Sequence, residues 1–210
     1  MIKSILIGLE SSVNSESVLE LGMRWSKRYQ CLLGGIGIVD TPDICKPRMV
    51  PIGSSWFKKR SDEDRLQKAR EQVGRLLERF ADCCLERGVM GEVLESEGSP
   101  EEQILLESQR FDLVLLGQRS NFHWATREAS SDETLSKVLK ISPTPVVAVP
   151  PDLSEKPEVL VACDGSLQSA RALHSFVATG LGQETLVHLV SVHSKLDVAT
   201  ENLKRPADFA

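Results

Sequence analysis

This sequence lacks long apolar runs, and it also lacks an excess of positive charge. No stretch approaches the roughly 20 apolar residues that a membrane-spanning helix needs. The apolar N-terminal segment is broken at Glu10, and no small-residue cleavage site follows it. The net charge is −5, whereas proteins that bind nucleic acid or acidic membranes carry an excess of Lys and Arg. We therefore expect a cytoplasmic protein that binds neither nucleic acid nor membrane.

Cysteine and histidine are few, and their spacing predicts neither a disulfide framework nor a metal site. The five cysteines include no C-x-x-C pair. Cys83 and Cys84 are adjacent on a predicted helix, so their side chains point in different directions. The four histidines have no metal-ligand spacing. We expect ordinary buried or surface thiols and no bound metal.

The sequence does contain a regular alternation of apolar runs and helical stripes. Residues 40–61 include several prolines and are predicted to form a long loop. Apolar runs are typical of strands that are buried on both faces of a parallel sheet. Such runs lie at 5–9, 32–39, 113–117 and 146–149, and a weaker edge strand is predicted at 93–94. Helices are predicted at 18–25, at 62–88, after Ser99 and from about Asp132 to Lys140.

Strands that alternate with helices predict a doubly wound α/β domain over residues 1–150, with a parallel sheet and helices on both faces. Ligands of such sheets bind beyond the carboxyl ends of the strands, where the strand order reverses. The loops that follow Leu9, Val39 and Gly117 are therefore the candidate binding loops.

A shorter second segment repeats the first. Residues 151–157 are predicted to be a proline-rich linker. Beyond it, 159–166 align with 5–12 without gaps, at an offset of 154 that places Asp164 on Glu10. Nothing in the second segment corresponds to the helix at 62–88 or to later elements. Residues 158–210 are thus predicted to be the N-terminal part of a second domain, with a β-α-β order.

These features resemble the universal stress protein family. The resemblance rests on Asp164-Gly165-Ser166 after a strand, on Gly117 at a strand end, and on 142–147 before the last strand. It covers essentially residues 1–150 and, in the second copy, about 156–194, which indicates a tandem-type member whose second domain is incomplete in this chain. It implies a five-stranded adenine nucleotide alpha-hydrolase-like sheet in the order 3-2-1-4-5.

Some members of that family bind ATP, and the resemblance implies which residues would do so here. An acidic residue after the first strand and a backbone position at the end of the second strand would lie beside the adenine, while a glycine-containing loop would wrap the phosphates. The positions implied are Glu10, Ile38, Gly117, Arg119, Ser120 and Ser131 in the first copy and Asp164, Gly165, Ser166 and Val192 in the second.

The first copy departs from the family's nucleotide pattern. Glu10 stands where the family has Asp, Ser120 replaces the second loop glycine, and the final Gly-Ser or Gly-Thr pair is missing. Asp132 and Glu133 would place negative charge where the phosphates should lie. In the second copy the phosphate loop would lie beyond the last residue. We therefore expect no cofactor, with ATP or AMP as the alternative ligand.

The loop after Gly117 holds a cluster of Arg119, His123, Trp124 and Arg127. One interpretation is a remodelled pocket for another anion, or a partner-binding surface. The other is that Phe122 and Trp124 pack the loop down while the charged side chains are solvated, and we favour it because most loop residues carry no function.

No catalytic group is predicted. Ser11, Ser12 and Ser166 lie where helix caps belong, and no base is positioned beside them. Two functions remain: a non-catalytic stress-response or regulatory module that acts through dimerisation and partner contacts, and an adenine-nucleotide-binding protein with slow ATP hydrolysis. The missing glycines favour the first.

The incomplete second copy predicts association. The apolar strands at 159–163 and 186–192 need a covering layer that the chain does not supply. We expect a piece of a longer tandem protein, and a homodimer or a pseudo-dimer with a second domain. Residues 195–210 are predicted to be the least ordered part.

Overall fold

The computed structural model of the protein describes residues 2–11, 15–46, 55–123, 133–153, 158–183 and 185–209. The chain divides into two compact units, Lys3–Leu153 on the one hand and Ser154–Ala210 with Met1–Ile2 on the other. The division falls inside the predicted linker 151–157. Within the described ranges, no helix combines the length and the apolar character that crossing a membrane requires.

The larger unit is a five-stranded parallel sheet with helices on both faces. All strand pairs are parallel, in the order β3-β2-β1-β4-β5, so the predicted doubly wound fold with order 3-2-1-4-5 is confirmed. The strands are β1 (Ser4–Leu9), β2 (Leu32–Val39), β3 (Gly91–Glu97), β4 (Leu113–Gly117) and β5 (Val146–Val149). The helices are α1 (Ser15–Tyr29), α2 (Thr41–Ile44), α3 (Ser55–Arg87), α4 (Pro100–Ser108) and α5 (Thr134–Ile141).

Side chains of successive strand residues point to opposite faces of the sheet, and each face is buried under a different pair of helices. On one face, Gly22 of α1 lies against Ile7 and Leu33. On the other face, Ile104 of α4 and Val138 of α5 are buried in one apolar cluster with side chains of β1, β2 and β4. This double burial explains why the central strands have continuous apolar sequences.

Strand β2 contains three glycines, which is unusual for a strand interior. At Gly35, an added Cβ would lie 2.7 Å from Cδ1 of Phe80, and at Gly37 it would lie 2.7 Å from Cγ1 of Val73. Helix α3 therefore packs its large side chains directly onto the backbone of β2. The glycines are needed for this close approach of helix and strand.

The prediction that residues 40–61 form a loop is wrong at both ends of that range. Asp40 accepts a hydrogen bond from the N–H of Asp43 at 3.0 Å and caps the short helix α2, whose first turn contains Pro42. Proline suits the first turn of a helix, because its missing N–H needs no partner there. Helix α3 begins at Ser55 rather than at 62, and an ion pair of 3.0 Å between Lys58 and Asp62 supports its first turns.

The smaller unit contains β6 (Glu158–Ala162), α6 (Leu167–Thr179), β7 (Leu186–Val190) and α7 (Leu196–Phe209). Strands β6 and β7 are parallel, so the predicted β-α-β element is present. Their register pairs Val159 with Val187, and β1 and β2 pair Ile5 with Leu33. The two pairs are related by the same offset of 154 that aligns the sequences.

The expectation that residues 195–210 are the least ordered part is wrong, because 196–209 form helix α7. The helix is held to its own unit by apolar contacts. Phe209 stacks on His174 with the ring centroids 3.9 Å apart, and Ala199 is buried. This segment is mostly polar, and the few residues that anchor it are not apparent from its composition.

The close packing of α3 on β2 leads to a matched pair of glycine substitutions. We expect Gly35→Ala to destabilise the protein by about 1–3 kcal/mol, because its Cβ would overlap the Phe80 ring. Gly74→Ala is the control, since Gly74 lies within α3 with no atom within 4 Å of an added Cβ, and we expect it to stabilise by about 0.5–1 kcal/mol. Chemical unfolding of both variants measures the difference, and equal effects would contradict the proposed packing.

Candidate functional site

The carboxyl ends of β1, β2 and β4 meet at one edge of the sheet, where the strand order reverses. This edge is the expected ligand-binding position of a doubly wound sheet. Residues 118–123, which follow β4, lie across this edge and contact the residues that directly follow β1 and β2. We call residues 118–123 the edge loop.

Glu10 follows β1 directly and is only 1% exposed. One of its carboxylate oxygens, Oε2, accepts the backbone N–H of Asn121 in the edge loop. The loop turns tightly before this contact, because the N–H of Ser120 donates to the carbonyl of Gly117 at 3.2 Å. The structure therefore brings together three of the residues predicted for the first site, namely Glu10, Gly117 and Ser120.

Phe122 anchors the edge loop in the core. Its side chain is fully buried, and its Cζ lies 2.9 Å from the position that a Cβ on Gly8 would take. It belongs to the same apolar cluster as Leu116 and Ile38. The prediction that Phe122 packs the loop down is confirmed. The side chain of Ile38 lies in this core, and the role of its backbone beside a ligand, which the resemblance implies, stays a prediction.

His123 lies among acidic side chains from the end of β2. Its Nδ1 lies 2.7 Å from Oδ2 of Asp40 and 3.9 Å from Oδ2 of Asp43. Both aspartates are buried, and the histidine side chain is 20% exposed. The interpretation that the charged residues of this loop are solvated is therefore wrong for His123.

One feature of the sequence could have indicated this cluster. Asp40 follows β2 just as Glu10 follows β1, and the edge loop follows β4, so all three lie at the same edge of the sheet. Arg119 is exposed and Ser120 is buried. Trp124, Arg127, Ser131 and Asp132, which the sequence also placed in this region, lie outside the described residues.

In the second unit, Asp164, Gly165 and Ser166 form the turn that starts α6. Asp164 Oδ1 accepts the N–H of Ser166 at 2.9 Å, and Ser166 Oγ accepts the N–H of Ser169 at 3.1 Å. Gly165 has φ +80°, in the left-handed region that favours glycine. The prediction that Ser166 is a helix cap is confirmed.

Asp164 is hydrogen-bonded by Ser166, first through the serine side chain and second through the serine backbone. These bonds lower the pKa of Asp164 from its ordinary 3.8 to about 2. These bonds favour the charged carboxylate, so the shift has a local structural cause. A low pKa at this position therefore reports helix capping and requires no ligand.

Helix α7 lies over the start of α6. Asn202 Oδ1 lies 2.5 Å from the position of a Cβ on Gly165, and Asn202 Nδ2 donates to Ser191 Oγ at 3.3 Å. Between the two helices is a cavity of about 290 Å³ lined by residues that include Cys163, Gly165, Ser166, Ser169, Asn202 and Arg205. Val192 is 89% exposed and does not line the cavity.

The capping turn gives a pH-dependent prediction. We expect Ser166→Ala to raise the pKa of Asp164 towards 3.8 and to cost about 1 kcal/mol of stability through the lost cap. Because the folded-state pKa is lowered, the contact stabilises the fold at neutral pH, and its contribution is lost as the pH falls from 3.8 towards 2. Carboxyl titration by NMR measures the shift.

Ser175→Ala, within the same helix, is the control and should leave the pKa of Asp164 unchanged. A pKa of Asp164 that stays near 2 in Ser166→Ala would show that another group lowers it.

Comparison with known proteins supports the fold but not a closer assignment. No protein-family model and no curated protein sequence matches the chain. A universal stress protein from Archaeoglobus fulgidus matches with a TM-score of 0.66 at 19% identity, covering 98% of this chain and 71% of that one. A universal stress protein family member from Burkholderia pseudomallei matches with a TM-score of 0.51 at 16% identity, covering 71% of this chain and 96% of that one.

A further structure, the universal stress protein from Archaeoglobus fulgidus in complex with dAMP, has a TM-score of 0.47 and 12% identity, covering 71% of this chain and 99% of that one. The dAMP is a property of that protein. The parallel sheet in the order 3-2-1-4-5, the second β-α-β element and the match over 98% of the chain agree with one another. The chain has the α/β fold of the universal stress proteins.

Proposed function

We propose that this protein is a universal stress protein-like, non-catalytic stress-response or regulatory module of the tandem type. In this proposal it acts in the cytoplasm, through dimerisation and contacts with a protein partner. The observation that carries the proposal is the edge loop, which covers the carboxyl ends of β1, β2 and β4 with the protein's own residues.

Three contacts hold the edge loop in place, one at each strand end. Asn121 bonds to Glu10 after β1, His123 pairs with Asp40 after β2, and Phe122 is buried against Gly8 and Leu116. Burying a phenylalanine side chain contributes about 1.5–3 kcal/mol relative to exposing it. A ligand that entered at this edge would have to displace contacts that already stabilise the fold.

The described residues do not fit an adenine nucleotide bound in the way that the resemblance implies. The Glu10 carboxylate accepts an N–H of its own chain, so this acidic side chain is already engaged within the protein. Glu133, at the start of α5, adds a negative charge near the helix end that would otherwise attract phosphate. These features support a module in which the expected ligand position is occupied by the protein's own residues.

The proposal that the protein is non-catalytic rests on the surroundings of its serine side chains. Within the described residues, Ser120 Oγ is buried and makes no hydrogen bond, so no base is placed to activate it. Ser166 Oγ is engaged in capping α6. Neither hydroxyl has the neighbours that a nucleophile needs.

The alternative function is adenine-nucleotide binding with slow ATP hydrolysis, and one observation favours it. The second unit keeps Asp164-Gly165-Ser166 next to a cavity that Arg205 also lines. A cation and the start of a helix are both suited to an anionic ligand. A nucleotide bound there would be lost in Gly165→Ala, because that residue has φ +80° and no space for a Cβ.

Nucleotide titration separates the two functions. We expect no nucleotide in the purified protein, and calorimetry with ATP and AMP should give dissociation constants no tighter than about the millimolar range, an affinity worth roughly 4 kcal/mol. Micromolar binding, with phosphates held by the backbone of residues 117–133, would overturn the proposal.

A loop variant tests the reason for weak binding. Ser120→Gly combined with Asp132→Gly and Glu133→Ser should improve ATP affinity, because it restores glycine and removes two negative charges. Glu63→Gln with Asp64→Asn removes the same charge from the exposed surface of α3 and serves as the control. Equal affinities in both variants would show that the loop is not the cause.

Dimerisation is supported by two exposed leucines on one face of the smaller unit, a face that Glu158 and His188 share. Leu160 and Leu186 are 69% and 58% exposed, and the register of β6 and β7 places them on the same face. At the offset of 154 they correspond to Leu6 and Leu32, which pack in the cluster covered by α4 and α5. Exposed leucines on a two-stranded sheet form a surface that association would cover.

We therefore expect light scattering to show a dimer or larger assembly, since association would cover this face. Leu160→Glu should weaken the assembly by placing a charge on the buried face. Leu85→Glu, at a leucine 83% exposed on α3, should leave it unchanged. A stable monomer with a folded second unit would contradict this part of the proposal.

A further inference from the structure

Asp40, Asp43 and His123 form a compact cluster of metal-ligating groups at the carboxyl edge of the first sheet. One ligand atom from each lies within 4.8 Å of the other two. The three residues come from different elements: Asp40 follows β2, Asp43 belongs to α2, and His123 ends the edge loop. We call these three residues the acidic-histidine cluster.

The cluster concentrates negative charge in a buried place. Asp40 is 3% exposed and Asp43 is 5% exposed. Two carboxylates so close together in a region of low dielectric repel each other and favour a nearby cation. Lys46 Nζ lies 2.6 Å from Asp43 Oδ1, but the lysine side chain is 63% exposed, so this ammonium approaches the cluster from the solvent side.

We propose that the acidic-histidine cluster binds one divalent transition-metal ion of the Mn²⁺ or Zn²⁺ class. His123 Nδ1 lies 2.7 Å from Asp40 Oδ2 and 3.9 Å from Asp43 Oδ2. Ligands placed 2.0–2.2 Å from a tetrahedral ion are about 3.4 Å from one another, a value between these two distances. A shift of roughly half an ångström in His123 would give both carboxylates comparable separations from the ring nitrogen.

The ligand types determine the class of ion. An imidazole with two carboxylates suits Zn²⁺, Mn²⁺ or Fe²⁺, whereas Ca²⁺ and Mg²⁺ prefer sites made of oxygen alone. With three protein ligands the ion keeps at least one position for water or an anion. The site is independent of the nucleotide residues and extends the proposed function to metal binding.

Metal binding and a simple His–Asp contact make different predictions. If the cluster only fastens the edge loop, the protein binds no metal ion. Removing the charge of Lys46 then has no effect on metal binding, and added metal does not change the stability. If the cluster is a metal site, Lys46 competes with the ion, and its removal strengthens binding. The two ideas also differ in whether metal raises the thermal stability of the whole chain.

Titration with Mn²⁺, followed by the loss of the EPR signal of the free ion, tests the proposal and avoids most interference from the five thiols. We expect one Mn²⁺ per chain, displaced by Zn²⁺, and an increase in Tm when Mn²⁺ is added. Asp43→Asn and His123→Gln should each weaken Mn²⁺ binding at least tenfold. His188→Gln is the control, because His188 also lies near a carboxylate, 3.9 Å from Glu158, but is half exposed.

Lys46→Met keeps the test decisive if a cluster variant fails to fold, since this exposed residue contributes little to the core. We expect it to strengthen Mn²⁺ binding, whereas a loss of structure would weaken it. The proposal is overturned if wild type binds no Mn²⁺ up to about the millimolar range. It is also overturned if Asp43→Asn, His123→Gln and Lys46→Met all bind as wild type does.

Discussion

Strand β1 is buried on both faces and hydrogen-bonded on both edges, and the arrangement of the first unit depends on this double constraint. Its neighbours β2 and β4 are parallel to it, so their carboxyl ends meet at the same edge. Helices cover both faces, which leaves that edge as the place where polar residues from three separate segments come together. Glu10, Asp40 and the edge loop lie there for this reason.

The edge loop occupies this edge with the protein's own residues. The edge loop buries a phenylalanine at this edge and donates a backbone N–H to Oε2 of Glu10. The same loop delivers His123 to two buried aspartates. The packed edge loop thereby completes a cluster of metal-ligating groups at the carboxyl edge of the sheet.

In the second unit, strands that correspond to β1 and β2 are covered by fewer helices. Strands β6 and β7 keep the register of β1 and β2 at the offset of 154, but no described helix of that unit takes the place of α4 and α5. Leu160 and Leu186 are exposed in the second unit, whereas Leu6 and Leu32, which correspond to them, pack in the apolar cluster of the first. Helix α7 covers the carboxyl end of the sheet instead, where Asn202 approaches Gly165.

The sequence by itself determined the strand order, the parallel sheet, most of the helices and the second β-α-β element, because hydrophobic periodicity records which faces each segment must bury. It also placed Glu10, Gly117 and Ser120 at one edge. Helices α2 and α7 were missed, since a proline in a first turn and a polar segment with few anchors resemble loops. Only the tertiary structure paired His123 with Asp40, because these residues are 83 positions apart and the contact depends on how the edge loop folds over the strand ends.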